Sequence, residues 1–136
     1  MIKLTITHDE PKADDELHIS TIAGIVDNAV DHLVVNDSLD YIADRTKNFK
    51  ILLSKLRING IIEISGVDIF ALSRMIMLIG ATIPTINDVL YAGRQSVGSL
   101  LSTLDILKHA GITIEIKQLN DDNFTYYVKA KRCLTQ

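Results

Sequence analysis

The chain has no tryptophan, a single cysteine and two prolines in 136 residues, with aromatics at only 5%. A lone thiol, Cys133, cannot close an internal disulfide and reads as an inert side chain near the C-terminus. There is no excess of positive charge: 14 Lys and Arg stand against 17 Asp and Glu, a net charge of −3. Apart from Lys129, Lys131 and Arg132 the basic residues are scattered, so no broad positive field exists for a phosphate backbone, and nucleic acid is not an expected partner. Apolar runs are broken by Asp, Arg or Gly before the ~18 residues that a membrane span needs. The first residues also lack the basic-then-apolar order of a signal peptide, so the expected location is cytoplasmic. Internal repeats and low-complexity segments are absent too. What is abundant is aliphatic side chain: 47% of residues are hydrophobic in a chain of one-domain length. Part of that surface is expected to be buried against a second copy, which makes a homodimer the expected assembly.

Periodicity divides the chain into strands and helices. Ile2 to Ile6 alternates with Lys3, Thr5 and Thr7, a strand ended by the polar stretch His8 to Pro11. Five of the eight residues from Asp9 to Glu16 are acidic and read as a solvated loop. Leu17 to Ile25 fits either a short strand or a helical turn. Val30, Leu33, Val34 and Val35 form an apolar, β-branched run of the kind found in a strand covered on both faces, with Asn36 and Asp37 at its end. Phe49, Leu52, Leu53 and Leu56 fall at i, i+3, i+4 and i+7, and Lys47, Lys50 and Lys55 are assigned to the opposite face. Asn59 and Gly60 read as the left-handed cap of that helix, before a strand from Ile61 to Ser65. Asp68 suits the N-cap of a further helix that stops before Gly80. A short helix around Val89 follows Pro84. Ser96 is the expected start of the last helix, with Val97, Leu100, Leu101, Leu104 and Leu107 inward and Gly111 as its stop. Ile112 to Ile116 and Phe124 to Ala130, joined by the NDDN turn, should pair as an antiparallel hairpin. The layout is α/β: a mostly parallel sheet closed by an antiparallel C-terminal hairpin.

Four segments carry more than periodicity. Asp27 to Ile64, "DNAVDHLVVNDSLDYIADRTKNFKILLSKLRINGIIEI", resembles the middle of class I S-adenosylmethionine-dependent methyltransferases. Those chains read as an acidic lead-in, a fourth strand, a "vLeh" turn, a helix ending in "vLkpGG" and a fifth strand. Asp31 stands at the strand-initial acid, Leu39-Asp40-Tyr41 on the "LeH" segment, and Leu56 to Gly60 on "LkpGG". "SVGSLLSTLDILKHAGITIEI" is similar to the helix before the sixth strand, and "TYYVKAKR" to the seventh strand. The resemblance implies a truncated Rossmann-like fold and S-adenosylmethionine as cofactor, lying across the ends of the first and fourth strands. It places Thr7, His8, Asp9 and Asn36 at the cofactor, Asp37 as the base or orienting group, and a small molecule as methyl acceptor.

The pattern is broken at its cofactor end. Thr7, His8 and Asp9 stand where the family has a glycine-rich turn that lets the backbone approach the cofactor. Only 23 residues separate Ile6 from Val30, so at least one strand and one helix must be missing. Asp14, Asp15 or Glu16 could replace the acid that bonds the ribose hydroxyls. His8, Asp9, Glu16 and His18 have no spacing that would gather a metal. His32 reads as a packed or surface histidine, His109 as a helix-end residue, and Met75 and Met77 as core or interface filling. Ser65-Gly66 lacks the context of a nucleophile elbow. Two functions stay open: a compact methyltransferase, and a degenerate, non-catalytic module that keeps the scaffold.

Overall fold

A computed structural model describes residues 1–78, 80 and 82–133. Six strands form one sheet: β1 (Lys3–Thr7), β2 (Glu16–His18), β3 (Val30–Asn36), β4 (Leu56–Val67), β5 (Ile112–Asn120) and β6 (Thr125–Arg132). Their order is β2-β1-β3-β4-β6-β5. The β1–β2, β1–β3 and β3–β4 pairs are parallel, and β4–β6 and β5–β6 are antiparallel. The helices are α1 (Arg45–Lys55), α2 (Ile69–Leu78), α3 (Ile83–Leu90) and α4 (Leu100–His109). Leu17 to Ile25 proves to be both things it could have been: the end of β2, then a 3-10 turn over Ile19–Gly24. The resemblance counts seven strands, and this sheet has six. No α-helix lies between β1 and β3.

Helix α1 starts where Asp44 accepts a hydrogen bond from the Lys47 amide, and it buries Phe49, Leu52 and Leu53. It ends earlier than the sequence suggests. Leu56 is already in β4, and Asn59, with a left-handed φ of 66°, lies within that strand and not in a helix cap. Val30 pairs with Leu56 and His32 with Ile61, so three extra residues bulge out of β4 between the two pairings. Asn59 alone takes the left-handed backbone, while Gly60 is needed because a Cβ there would lie 2.7 Å from the Arg57 carbonyl oxygen, so the left-handed signal was right and its setting was not. Lys55 is buried and donates to Asp27 at 2.6 Å, instead of extending into solvent.

Asp68 confirms its predicted capping role and has a second one. Its Oδ1 accepts from the Ala71 amide at 2.9 Å and its Oδ2 from the Leu100 amide at 2.7 Å, so one buried carboxylate caps both α2 and α4. The last helix therefore begins after Ser99, in a capping box with Ser102, and not at Ser96. Val97 and Leu101, expected to point inward, are exposed, while Leu104 and Leu107 are buried.

The main core lies on one side of the sheet. Ile6, Leu33, Val35, Ile62, Ile64, Val128 and Ala130 pack with α1 and α4. The alternate residues Thr5, His32, Val34, Glu63, Ser65, Tyr127 and Lys129 are half-buried and belong to neither hydrophobic cluster. β3 is thus covered on one face only, contrary to the two-sided burial its β-branched run suggested. Parallel strands normally need cover on both sides, and here a polar row takes its place. His32 Nε2 bonds Glu63 Oε2, and the Tyr127 hydroxyl donates to Glu63 Oε1 at 2.5 Å, which ties β3, β4 and β6 together.

That row should be visible by titration. The Tyr127 bond, with help from His32 and against desolvation, holds the Glu63 carboxyl below its ordinary range. Desolvation, then the bond to Glu63, pushes the Tyr127 phenol up to about 12. The neutral phenol is the form that the fold prefers. Its contribution is complete below the ordinary phenol pKa near ~10 and is lost as pH rises toward about 12. In an ultraviolet tyrosinate titration, Tyr127→Phe should remove one late-ionising phenol of the chain's four tyrosines. Removal of a phenol that ionises near ~10 would refute the assignment.

Candidate functional site

In open α/β sheets, ligands bind beyond the C-terminal ends of the parallel strands. β1 ends at Thr7, β2 at His18 and β3 at Asn36. Ile6 is in register with Val35, so Thr7 and Asn36 emerge side by side. Thr7 Oγ1 accepts from the Asp9 amide at 3.1 Å and closes a tight polar turn. Asp37 is left-handed with φ of 55°, its amide donates to the Ser65 carbonyl at 3.1 Å, and its Oδ1 accepts from Ser65 Oγ at 3.3 Å. The five predicted residues Thr7, His8, Asp9, Asn36 and Asp37 therefore share one end of the sheet.

Two histidines and a tyrosine occupy that end. The His8 ring lies flat on Tyr41, with centroids 3.7 Å apart and planes 9° from parallel. The Arg94 guanidinium sits 5.3 Å from the centre of the same Tyr41 ring. At the end of β2, His18 Nδ1 accepts from the Ser20 amide at 3.1 Å, which leaves Nε2–H to donate to the His8 carbonyl at 3.1 Å. The turn after β1 is thereby tied to the end of β2. Asp14 and Asp15 precede β2 and Glu16 opens it, where it accepts from the Lys12 amide at 2.9 Å. At ~3.3 Å of rise per residue these acids sit toward the opposite end of the strand from the site. They do not replace the ribose acid; His18 stands at the strand end instead.

Beneath this layer is a charge cluster that the sequence did not disclose. Asp40, with no exposed surface, accepts from Arg45 Nη1 at 2.5 Å, Arg94 Nε at 3.3 Å and the Val67 amide at 3.1 Å. Arg45 Nη2 donates to the Tyr126 hydroxyl at 2.6 Å. Burial, opposed by the Arg45 charge, raises the Tyr126 phenol above its ordinary pKa. Gly98 leaves room for this arrangement, because a Cβ there would lie 2.5 Å from the Arg45 guanidinium. Asp40 and Tyr41 lie on the "LeH"-like segment, but nothing local marks Arg94 as their partner.

S-adenosylmethionine does not fit the residues present. A Cβ-bearing turn replaces the glycines, the His8 ring covers Tyr41, and a histidine stands at the end of β2 where the family has an acid. Two cavities of about 520 and 580 Å³ lie beside α1, lined by residues such as Lys50 and Leu53, and not at these strand ends. Among the described residues no three His, Cys, Asp or Glu side chains gather as a metal site. No described helix is long and apolar enough to cross a membrane.

No family model matches the chain, and no curated protein matches it. Solved structures do. A putative S-adenosylmethionine-dependent methyltransferase from Listeria monocytogenes superposes with a TM-score of 0.62 at 11% identity, over 98% of this chain and 81% of that one. A methyltransferase from Mesorhizobium loti gives 0.59 at 12% identity, over 86% of this chain and 68% of the other. The putative methyltransferase solved with the Haloferax volcanii Trm112 activator gives 0.61 at 12% identity, over 93% and 65%. The fold is that of a class I methyltransferase. At these identities the likeness concerns the fold alone, and this chain spans about two thirds of the length of the last two structures. The methyltransferase-like sheet is shortened between β1 and β3, the segment that leads to the cofactor turn and ribose acid in the family.

Proposed function

We propose that this protein is a degenerate, non-catalytic methyltransferase-like module of the cytoplasm that serves as an interaction scaffold and assembles as a homodimer. One observation carries the reading: His8 stands in the turn where the resemblance places glycine, and the ring of His18, at the end of β2, donates to the His8 main-chain carbonyl and ties that turn down. A ligand seated at these strand ends would compete with the His8–Tyr41 stack and with the bond from His18 to the His8 carbonyl, and losing either would subtract from its affinity. Calorimetric titration with S-adenosylmethionine and S-adenosylhomocysteine should show no binding, or a dissociation constant above about 1 mM. Replacing Thr7, His8 and Asp9 together by glycine should improve binding only if Asn36 and Asp37 still offer a pocket. Micromolar binding by the unaltered chain would return the protein to the working enzymes. One feature favours that second reading: Ser38 Oγ is buried behind Asp37 in sequence and has no hydrogen-bond partner among the described residues.

A further inference from the structure

With no α-helix between β1 and β3, one sheet face and the sheet's two edges are the first places to look for a contact with a second copy. That face carries Thr5, His32, Glu63, Ser65, Tyr127 and Lys129 around a single valine, Val34, a mostly polar row suited to water. The edges are guarded as well. β2 offers three residues, while β5 carries Glu115 and Lys117 and has a register shift between Ile114 and Ile116.

The apolar surface lies elsewhere, on the excursion between β4 and α4. Met77 is 83% exposed, Leu78 79%, Tyr91 74% and Ile83 68%, with Phe70 also more than half exposed. At roughly 200 Å² for a large side chain, such exposures add up to several hundred Å², the scale at which a patch marks an interface. That is also close to the ~800 Å² per partner of a standard-size complex. The sequence from Met75 to Asn87 contains no charged residue.

The geometry points to a second copy of this chain as the occupant of the α2–α3 surface, which deepens the scaffold reading by naming its interface. A two-fold contact sets the same patch against itself, so any charge near the axis meets its own like. A thirteen-residue run without charge is free of that penalty. A lipid surface suits the patch less well. Arg74 already faces Asp121 at 3.4 Å, Arg94 is held by Asp40, and Asp88, Asp121 and Asp122 are exposed on the same excursion and the nearby turn, where anionic headgroups would repel them.

Sedimentation velocity of the full chain between about 1 and 100 μM should show a dimer. Met77→Asp with Leu78→Asp should raise the dissociation constant at least tenfold and leave the circular dichroism spectrum unchanged, since neither side chain is buried. Ile83→Asp should do the same, which guards against a local effect on α2. Lys117→Pro on the β5 edge should leave the dimer intact. A monomeric unaltered chain would overturn the inference. So would a dimer abolished by Lys117→Pro and kept by the aspartate variants, or a monomer that floats with anionic vesicles. None of these results bears on cofactor binding, so micromolar affinity for S-adenosylmethionine would end the non-catalytic reading and leave the interface standing.

Discussion

Asp40→Ala is expected to lower the unfolding free energy by about 3–5 kcal/mol in a denaturant titration, one of the two largest effects of any single substitution considered. The carboxylate has no exposed surface and lies between two guanidiniums that are themselves mostly buried. Removing it leaves Arg45 and Arg94 uncompensated and the Val67 amide unpaired. Asp40→Asn should fall between, because the amide oxygen can still accept from Val67 but carries no charge. The main-chain carbonyl of Asp40 also receives the Gln95 and Ser96 amides, bonds that both variants keep. A loss below about 1 kcal/mol for Asp40→Ala would mean that water reaches the cluster and that it is not a buried ion network.

The second large effect lies under α1. Leu52 has no exposed surface and packs in the main core between this helix and the sheet. Leu52→Ala should cost about 2–5 kcal/mol through lost burial and the cavity left behind. Lys50→Ala, on the exposed side of the same helix, should cost less than about 0.5 kcal/mol. Thermal melts of the two variants give the comparison directly, and equal shifts would show the helix packed by another face.

Strands β1 and β3, the apolar stripe of α1, the Asp68 cap and the closing hairpin were legible because each rests on residues close in sequence. Their failures are of one kind. Asn59-Gly60 announces a left-handed backbone without saying whether a helix or a strand contains it. Ser96 and Ser99 are both plausible caps, and only the Asp68 carboxylate at the Leu100 amide, arriving from another element, decides between them. Val30 to Val35 has the composition of a strand buried twice, yet what it lacks is a neighbouring layer, and no property of the strand reports that. The site divides in the same way. Convergence of Thr7 with Asn36 follows from parallel pairing, whereas the His8–Tyr41 stack and the Arg94–Asp40 bond join distant segments and leave no trace in spacing.

The double role of Asp68 has a further meaning for how such a chain can change. Asp68 and Gly98 form a bridge, the Ile69 amide donates to the Gly98 carbonyl, and the Leu100 amide donates to Asp68, so the main chain leaves the sheet and returns at one point. Residues 69–97 are thus a closed excursion whose ends are already joined. Altering the length of a loop with fixed ends costs little, about 0.6 kcal/mol per doubling. The excursion can be grafted, trimmed or exchanged like a handle, with the bonds of Arg94, Gln95 and Ser96 to Leu39 and Asp40 as its polar mooring, and no strand need shift its register.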